Sequence, residues 1–356
     1  MATTYERTWE TRRRGGRSAT EEARGSYYGV PVIHKPHWKW LVVWYFYLGG
    51  ITSGSYLVAT IADWLGGRAG RPIARVGRYV AFAALLPCPI LLILDLGRPE
   101  RFHHMLRIFR LRSPMSVGVW GLVAYSAFCT LSAAIQAAND RVFGSRTVLA
   151  RFLRAHPARL AALAGLGSAS FLGGYTGVLL AATAVPIWTR NALLLGPLFL
   201  SSALSTGTAV IALLLALGPR TPPESLRRLE RLDALTLLAE LILVLAVRVV
   251  PGRVAGRPLT EGRRGLIYLL GVVGLGTLAP LALQWPSLAH GETPSRRRTA
   301  FASACVLVGG FLLRYVMVFA GRRSADDPAA TFAHAAGPDP TTRLSQAPRS
   351  AEVVGR

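Results

Sequence analysis

The chain has 356 residues, 51% of them hydrophobic, and a formal net charge of +23. That apolarity excludes an ordinary soluble domain. The charge does not point to nucleic acid, because the basic residues lie in the tails and between apolar runs, where lipid headgroups and water meet them. Residues 41–62, 113–139, 160–189, 191–219 and 265–289 carry no Asp, Glu, Lys or Arg. About 20 such residues suffice to cross a bilayer as a helix.

Residues 1–37 read as a polar tail. Its TRRRGG (11–16) is not followed promptly by an apolar core, so it is not an export signal. Trp38 and Trp40 mark a membrane interface. Eight spans follow, over 40–63, 74–96, 115–138, 159–185, 192–217, 233–250, 266–288 and 300–320. Residues 322–356, rich in Ala, Pro, Asp and Thr, predict a disordered tail. The fold class is therefore an all-α polytopic membrane protein, with a membrane domain over 38–321. An even number of spans puts both termini on one side. The loops on the opposite side hold more arginines, which favours termini outside the cytoplasm, whereas the basic N-terminal tail favours the reverse. GGITSGS (49–55), GLGSASFLGG (165–174) and GVVGLG (271–276) predict close helix packing through small residues.

The second span is the most informative. Sixteen uncharged residues (79–94) end in Asp95, Arg98 follows, and Pro99 stops the helix, giving LDLGRPERF over 94–102. Ending a span on an acid–base pair is costly unless the pair is satisfied and used. Glu240 lies near the middle of the sixth span and Arg314 in the last third of the eighth. These spans run in the same direction, so the two charges can fall at similar depth. A buried ion pair locking the helices and a proton relay both fit. Tyr175 lies about ten residues inside the end of its span, deeper than an interfacial anchor, and its phenol can donate to a carbonyl. All seven histidines fall outside the spans, which predicts no bound haem. Cys88, Cys129 and Cys305 occur singly in apolar runs, which predicts no iron–sulfur cluster or zinc site within this chain.

FYLGGITSGSYL (46–57), LDLGRPERF (94–102), SPMSVGVWG (113–121), YTGVLLAATAVPIW (175–188), FLSSALSTG (199–207), Glu240 and GGFLLRYVMVFAG (309–321) together resemble the membrane subunits of the polysulfide reductase and nitrite reductase NrfD type. The resemblance implies eight helices in two four-helix bundles in the bacterial plasma membrane. It implies a subunit that binds a membrane quinone, menaquinone or ubiquinone, and anchors a ferredoxin-like 4Fe-4S protein, with a molybdopterin catalytic subunit beyond it. Asp95 and Arg98 match the helix-end acid–base motif, Tyr175 the tyrosine proposed to bind the quinone carbonyl, and Glu240 and Arg314 buried charges placed in proton paths. The polar residues early in the first helix have no clear match; Tyr45, Tyr47 and Ser53 are nearest. The competing readings are an ion- or proton-translocating transporter using Glu240 and Arg314, and an anchor with no quinone site.

Overall fold

The computed structural model describes residues 38–142, 151–153, 158–219, 221–252 and 256–325. The tails 1–37 and 326–356 lie outside the described residues. Uncharged runs become helices because a backbone in hydrocarbon must satisfy its own polar groups. The long elements are α1 (Trp40–Leu65), α2 (Gly67–Leu85), α3 (Pro87–Asp95), α4 (Pro114–Asn139), α5 (Ala158–Ala164), α6 (Leu166–Ala181), α7 (Ala192–Leu217) and α8 (Pro223–Val249). A π-helical segment, Ile267–Leu278, then runs into α9 (Ala279–Ala289), and α10 (Arg296–Ala325) closes the domain. No strand occurs among the described residues.

Among the described residues, seven of the eight expected spans are long and apolar enough to cross a membrane, all but the sixth. The sixth is α8. At 27 residues it is long enough, but Asp233, Glu240 and Arg248 leave it too charged to count with the others. It also begins ten residues before the predicted edge of 233, because Glu224, Arg227, Arg228, Glu230 and Arg231 continue the helix rather than interrupt it. The second span starts at Gly67 rather than 74 and is broken at Leu86 by Pro87, whose ring and missing N–H interrupt the ladder. The last span extends to Ala325, so residues 322–325, expected in the disordered tail, are helical.

α1 and α7 are the central helices. Their most apolar windows are 78% and 72% buried, against 28% for Gly67–Asp95 and 33% for Gly262–Ala289, which therefore face outward. α1 packs on α2, α6 and α7, and α7 packs in turn on α8 and α10. Glycine sets the α1–α7 distance. A β-carbon on Gly54 would lie 1.8 Å from the Ala203 carbonyl oxygen, and one on Gly207 would lie 2.4 Å from the Gly54 backbone. Gly276 and Gly309 do the same where the π-helical segment meets α10. In lipid, where apolar surface gains little by leaving the solvent, such contact supplies the dispersion that holds helices together. Buried hydrogen bonds add direction. Thr52 bridges the Ala81 carbonyl (2.6 Å) and the Tyr125 hydroxyl (2.7 Å), and Tyr56 donates to the Ala162 carbonyl at 3.0 Å.

Candidate functional site

Two groups of polar side chains fall inside the helices. The first is at the end of the domain where α1 begins and α3 finishes. Asp95 is the last residue of α3 and half-buried. A carboxylate there faces the negative end of the helix dipole, so it is not placed for helix stability. Arg98 follows in the bend before the short turn Pro99–Arg101 and is exposed.

The chain then crosses an exposed arginine-rich connection and enters α4. Ser113 caps that helix by accepting from the Ser116 N–H, and Pro114 takes its first position, where no N–H is needed. Tyr175, on α6, is 7% exposed and donates its hydroxyl to the Pro114 carbonyl. Its ring fills the space left by Gly118, where a β-carbon would lie 2.4 Å away, and stacks on Phe171 at 4.9 Å. Tyr45, buried on α1, lies near both Cys88 and Tyr175. Tyr175 thus shares its end of the domain with Asp95, and Tyr45 lies toward the same end on α1. Of the other two candidates in the first helix, Tyr47 donates to the Leu307 carbonyl on α10 (3.1 Å) and Ser53 to Gly50 of its own turn (3.1 Å). Neither is directed at Tyr175.

The second group lies between α1, α7, α8 and α10. Arg314 is fully buried and donates to the Ser202 hydroxyl (2.5 Å) and the Gly310 carbonyl (3.0 Å). Its guanidinium packs on Gly50, where a β-carbon would meet Nη2 at 2.8 Å, and lies 5.5 Å from the centre of the Phe199 ring. Nε and Nη2 make no hydrogen bond among the described residues. Glu240, 4% exposed, accepts from the Ser205 hydroxyl at 2.6 Å. The expected Glu240–Arg314 contact is therefore indirect. Ser202 and Ser205, one turn apart on α7, stand between the acid and the base: Ser202 accepts from Arg314 and Ser205 donates to Glu240.

Two further buried acids were not singled out by hydropathy. Asp233 accepts from Gln284 of α9 (2.6 Å), and Glu230 accepts from Thr299 of α10 (2.6 Å). Both are 3% exposed. Each keeps one oxygen without a hydrogen-bond partner among the described residues, as does Gln284. With Glu240 they form a line of three acids along α8. Their spacing carried the signal: at 100° per residue, 230, 233 and 240 fall within about 80° of one another. Among the described residues no three His, Cys, Asp or Glu side chains are grouped to hold a metal ion.

Comparison with known proteins agrees with the motifs. The family described as Polysulphide reductase, NrfD matches residues 32–324. A polysulfide reductase polypeptide of Wolinella succinogenes is 29% identical over 304 residues, covering 80% of this chain and 94% of that protein. Protein NrfD of Escherichia coli is 27% identical over 318 residues, covering 80% and 95%. A selenate reductase subunit of Mesobacillus selenatarsenatis is 24% identical over 320 residues, covering 79% and 73%. With a match that spans most of the sequence and seven apolar helices of membrane length, the chain belongs to the NrfD family of multi-pass membrane subunits of reductase complexes.

Proposed function

We propose that the chain is the membrane anchor and quinone-reactive subunit of a multi-subunit oxidoreductase, built as eight crossings in two four-helix groups in a bacterial plasma membrane. The observation that carries this reading is the buried Tyr175 hydroxyl at the same end as Asp95. Oxidation of a quinol releases two electrons and two protons, so its site needs a base and a hydrogen-bonding wall at the ring oxygens. Asp95 takes a proton, and Arg98 lies three residues beyond it at the same end of the domain. Tyr175 has one hydroxyl hydrogen, now given to Pro114, and turns it to the ring oxygen when menaquinone or ubiquinone binds. The electrons pass to a 4Fe-4S partner docked over the connection between α3 and α4, so no redox group is required of this chain. That connection supports the docking reading: Arg101, Arg107, Arg110 and Arg112 are exposed on it together with Phe102, Ile108, Phe109 and Leu111. Two of the relatives are named as one component of a reductase, which supports a molybdopterin catalytic subunit further out.

The test is Asp95→Asn in the intact complex. Quinol-linked electron transfer should fall by about 10²–10⁴-fold, the usual contribution of a general base. Reduction of the terminal substrate by an artificial donor should persist. An unchanged quinol rate in the assembled variant would refute the site. A second reading, proton or ion translocation without redox chemistry, is favoured by the acid line along α8. It predicts a chain that purifies with no iron–sulfur partner and moves protons without quinol.

A further inference from the structure

At the end of the domain opposite Asp95 and Tyr175, a crevice of about 180 Å³ opens between α1, α2 and α8. Ile61, Leu65, Ile73, Leu229 and Leu232 line it, and Arg228 is the one charged residue among its lining residues. The two helices on one side are joined only through Gly66. A β-carbon on Gly66 would lie 2.2 Å from the Ala62 carbonyl oxygen and 2.6 Å from the Gly70 Cα, so the turn closes only with glycine.

Arg228 is fixed at this turn. It donates to the Gly66 carbonyl at 2.6 Å and to Glu224 at 2.6 Å. Two of its five N–H groups are then used, and the side chain remains 42% exposed. Arg68 and Arg71 at the start of α2 are exposed, as is Arg231 one turn along α8 from Arg228. Glu224, Arg228 and Arg231 lie within about 60° on α8, on a different face from the three buried acids. Arg68, Arg71 and Arg231 each stand within two residues of one that lines the crevice, and Glu224 is the carboxylate bound to Arg228.

An occupant must therefore be apolar along its length and anionic at one end. We infer that the crevice seats an acyl chain of an anionic glycerophospholipid, with its phosphate on Arg228. A quinone ring has no charge to meet these arginines. The apolar walls exclude a free phosphate or nucleotide. A pinned guanidinium suits a phosphate, since its direction is fixed before the ligand arrives. This end also carries the larger share of loop arginines, as expected beside an anionic leaflet. The inference does not depend on the proposed redox role.

The test uses the full chain, purified from bilayers doped equally with phosphatidylglycerol and phosphatidylcholine, with retained lipid counted by native mass spectrometry. Wild type should keep phosphatidylglycerol in preference. Arg228→Gln should lower that retention about tenfold or more, as for loss of a charge-assisted hydrogen bond. Arg228→Lys should keep most of it. Leu232→Trp fills the crevice with every arginine intact, and it too should lower phosphatidylglycerol retention. That variant decides the matter if Arg228→Gln does not fold. Equal retention of the two lipids by wild type would overturn the inference, as would undiminished retention in folded Leu232→Trp.

Discussion

Replacing Glu240 with Gln removes the acid that balances Arg314, a cation with no exposure to solvent. A direct ion pair at ~4 Å with an effective dielectric of ~20 would be worth about 4 kcal/mol. Here Ser202 and Ser205 intervene, Ser202 bound to Arg314 at 2.5 Å and Ser205 to Glu240 at 2.6 Å. The coupling should therefore be smaller, about 1–3 kcal/mol, in the range seen for residues that share one network. The assay is a double-mutant cycle over Glu240→Gln, Arg314→Met and the double variant, measured as resistance of the detergent-solubilised chain to unfolding. Each single change should destabilise by more than half of what the double costs. Arg314→Met also removes the contact with Phe199, so the cycle rather than either single variant carries the answer. Stabilities that add to within ~0.3–0.5 kcal/mol would mean that the two charges act independently, and the serine-bridged network would be wrong. Activity then separates two roles. Full quinol turnover in a stable double variant makes the network structural. Lost turnover in that same stable protein makes it part of the proton route.

Tyr175→Phe should reduce quinol-linked transfer about tenfold and weaken binding of a quinone analogue, since one neutral hydrogen bond nets ~0.5–1.5 kcal/mol. The ring keeps its seat on Gly118 and its stack on Phe171, so yield should hold; an analogue binding isotherm unchanged from wild type would remove Tyr175 from the site. Gly54→Leu should abolish assembly, because even its β-carbon would overlap the Ala203 carbonyl. A normal yield of that variant by size-exclusion chromatography would refute the α1–α7 packing.

What the sequence made legible and what it hid follow from one property, the average apolarity of a window. Seven spans stand out because each holds an apolar stretch with at most a charge or two, as α3 does before Asp95 at its last residue. α8 was placed from residue 233 because Arg227, Arg228, Glu230 and Arg231 depress any average taken across them, although they lie on a continuous helix. Glu230 falls outside that edge and Asp233 sits on it, and the angular position of the three acids, rather than their number, recovers both. The π-helical turn had no signal of its own. Gly271, Gly274 and Gly276 read only as a packing stripe, and it takes the backbone, with the Ala279 N–H bonded to the Gly274 carbonyl five residues earlier, to show the wider bore. The indirect link between Glu240 and Arg314 was equally out of reach, because equal depth on two helices does not say which side chains lie between.

The line of acids on α8 also bears on how the protein is made. An acid or arginine near the centre of an isolated span costs about 2.5–3.5 kcal/mol at insertion, and α8 carries Asp233, Glu240 and Arg248. Its compensation is spread along the polypeptide. Ser205 is synthesised before it, but Gln284 and Thr299, which donate to Asp233 and Glu230, emerge only afterwards. Residence of α8 in the bilayer is therefore secured late, by helices that follow it. A ribosome stalled ahead of α9 should leave α8 accessible to water-soluble thiol reagents at a cysteine placed beside Asp233, and completion of α10 should close that access.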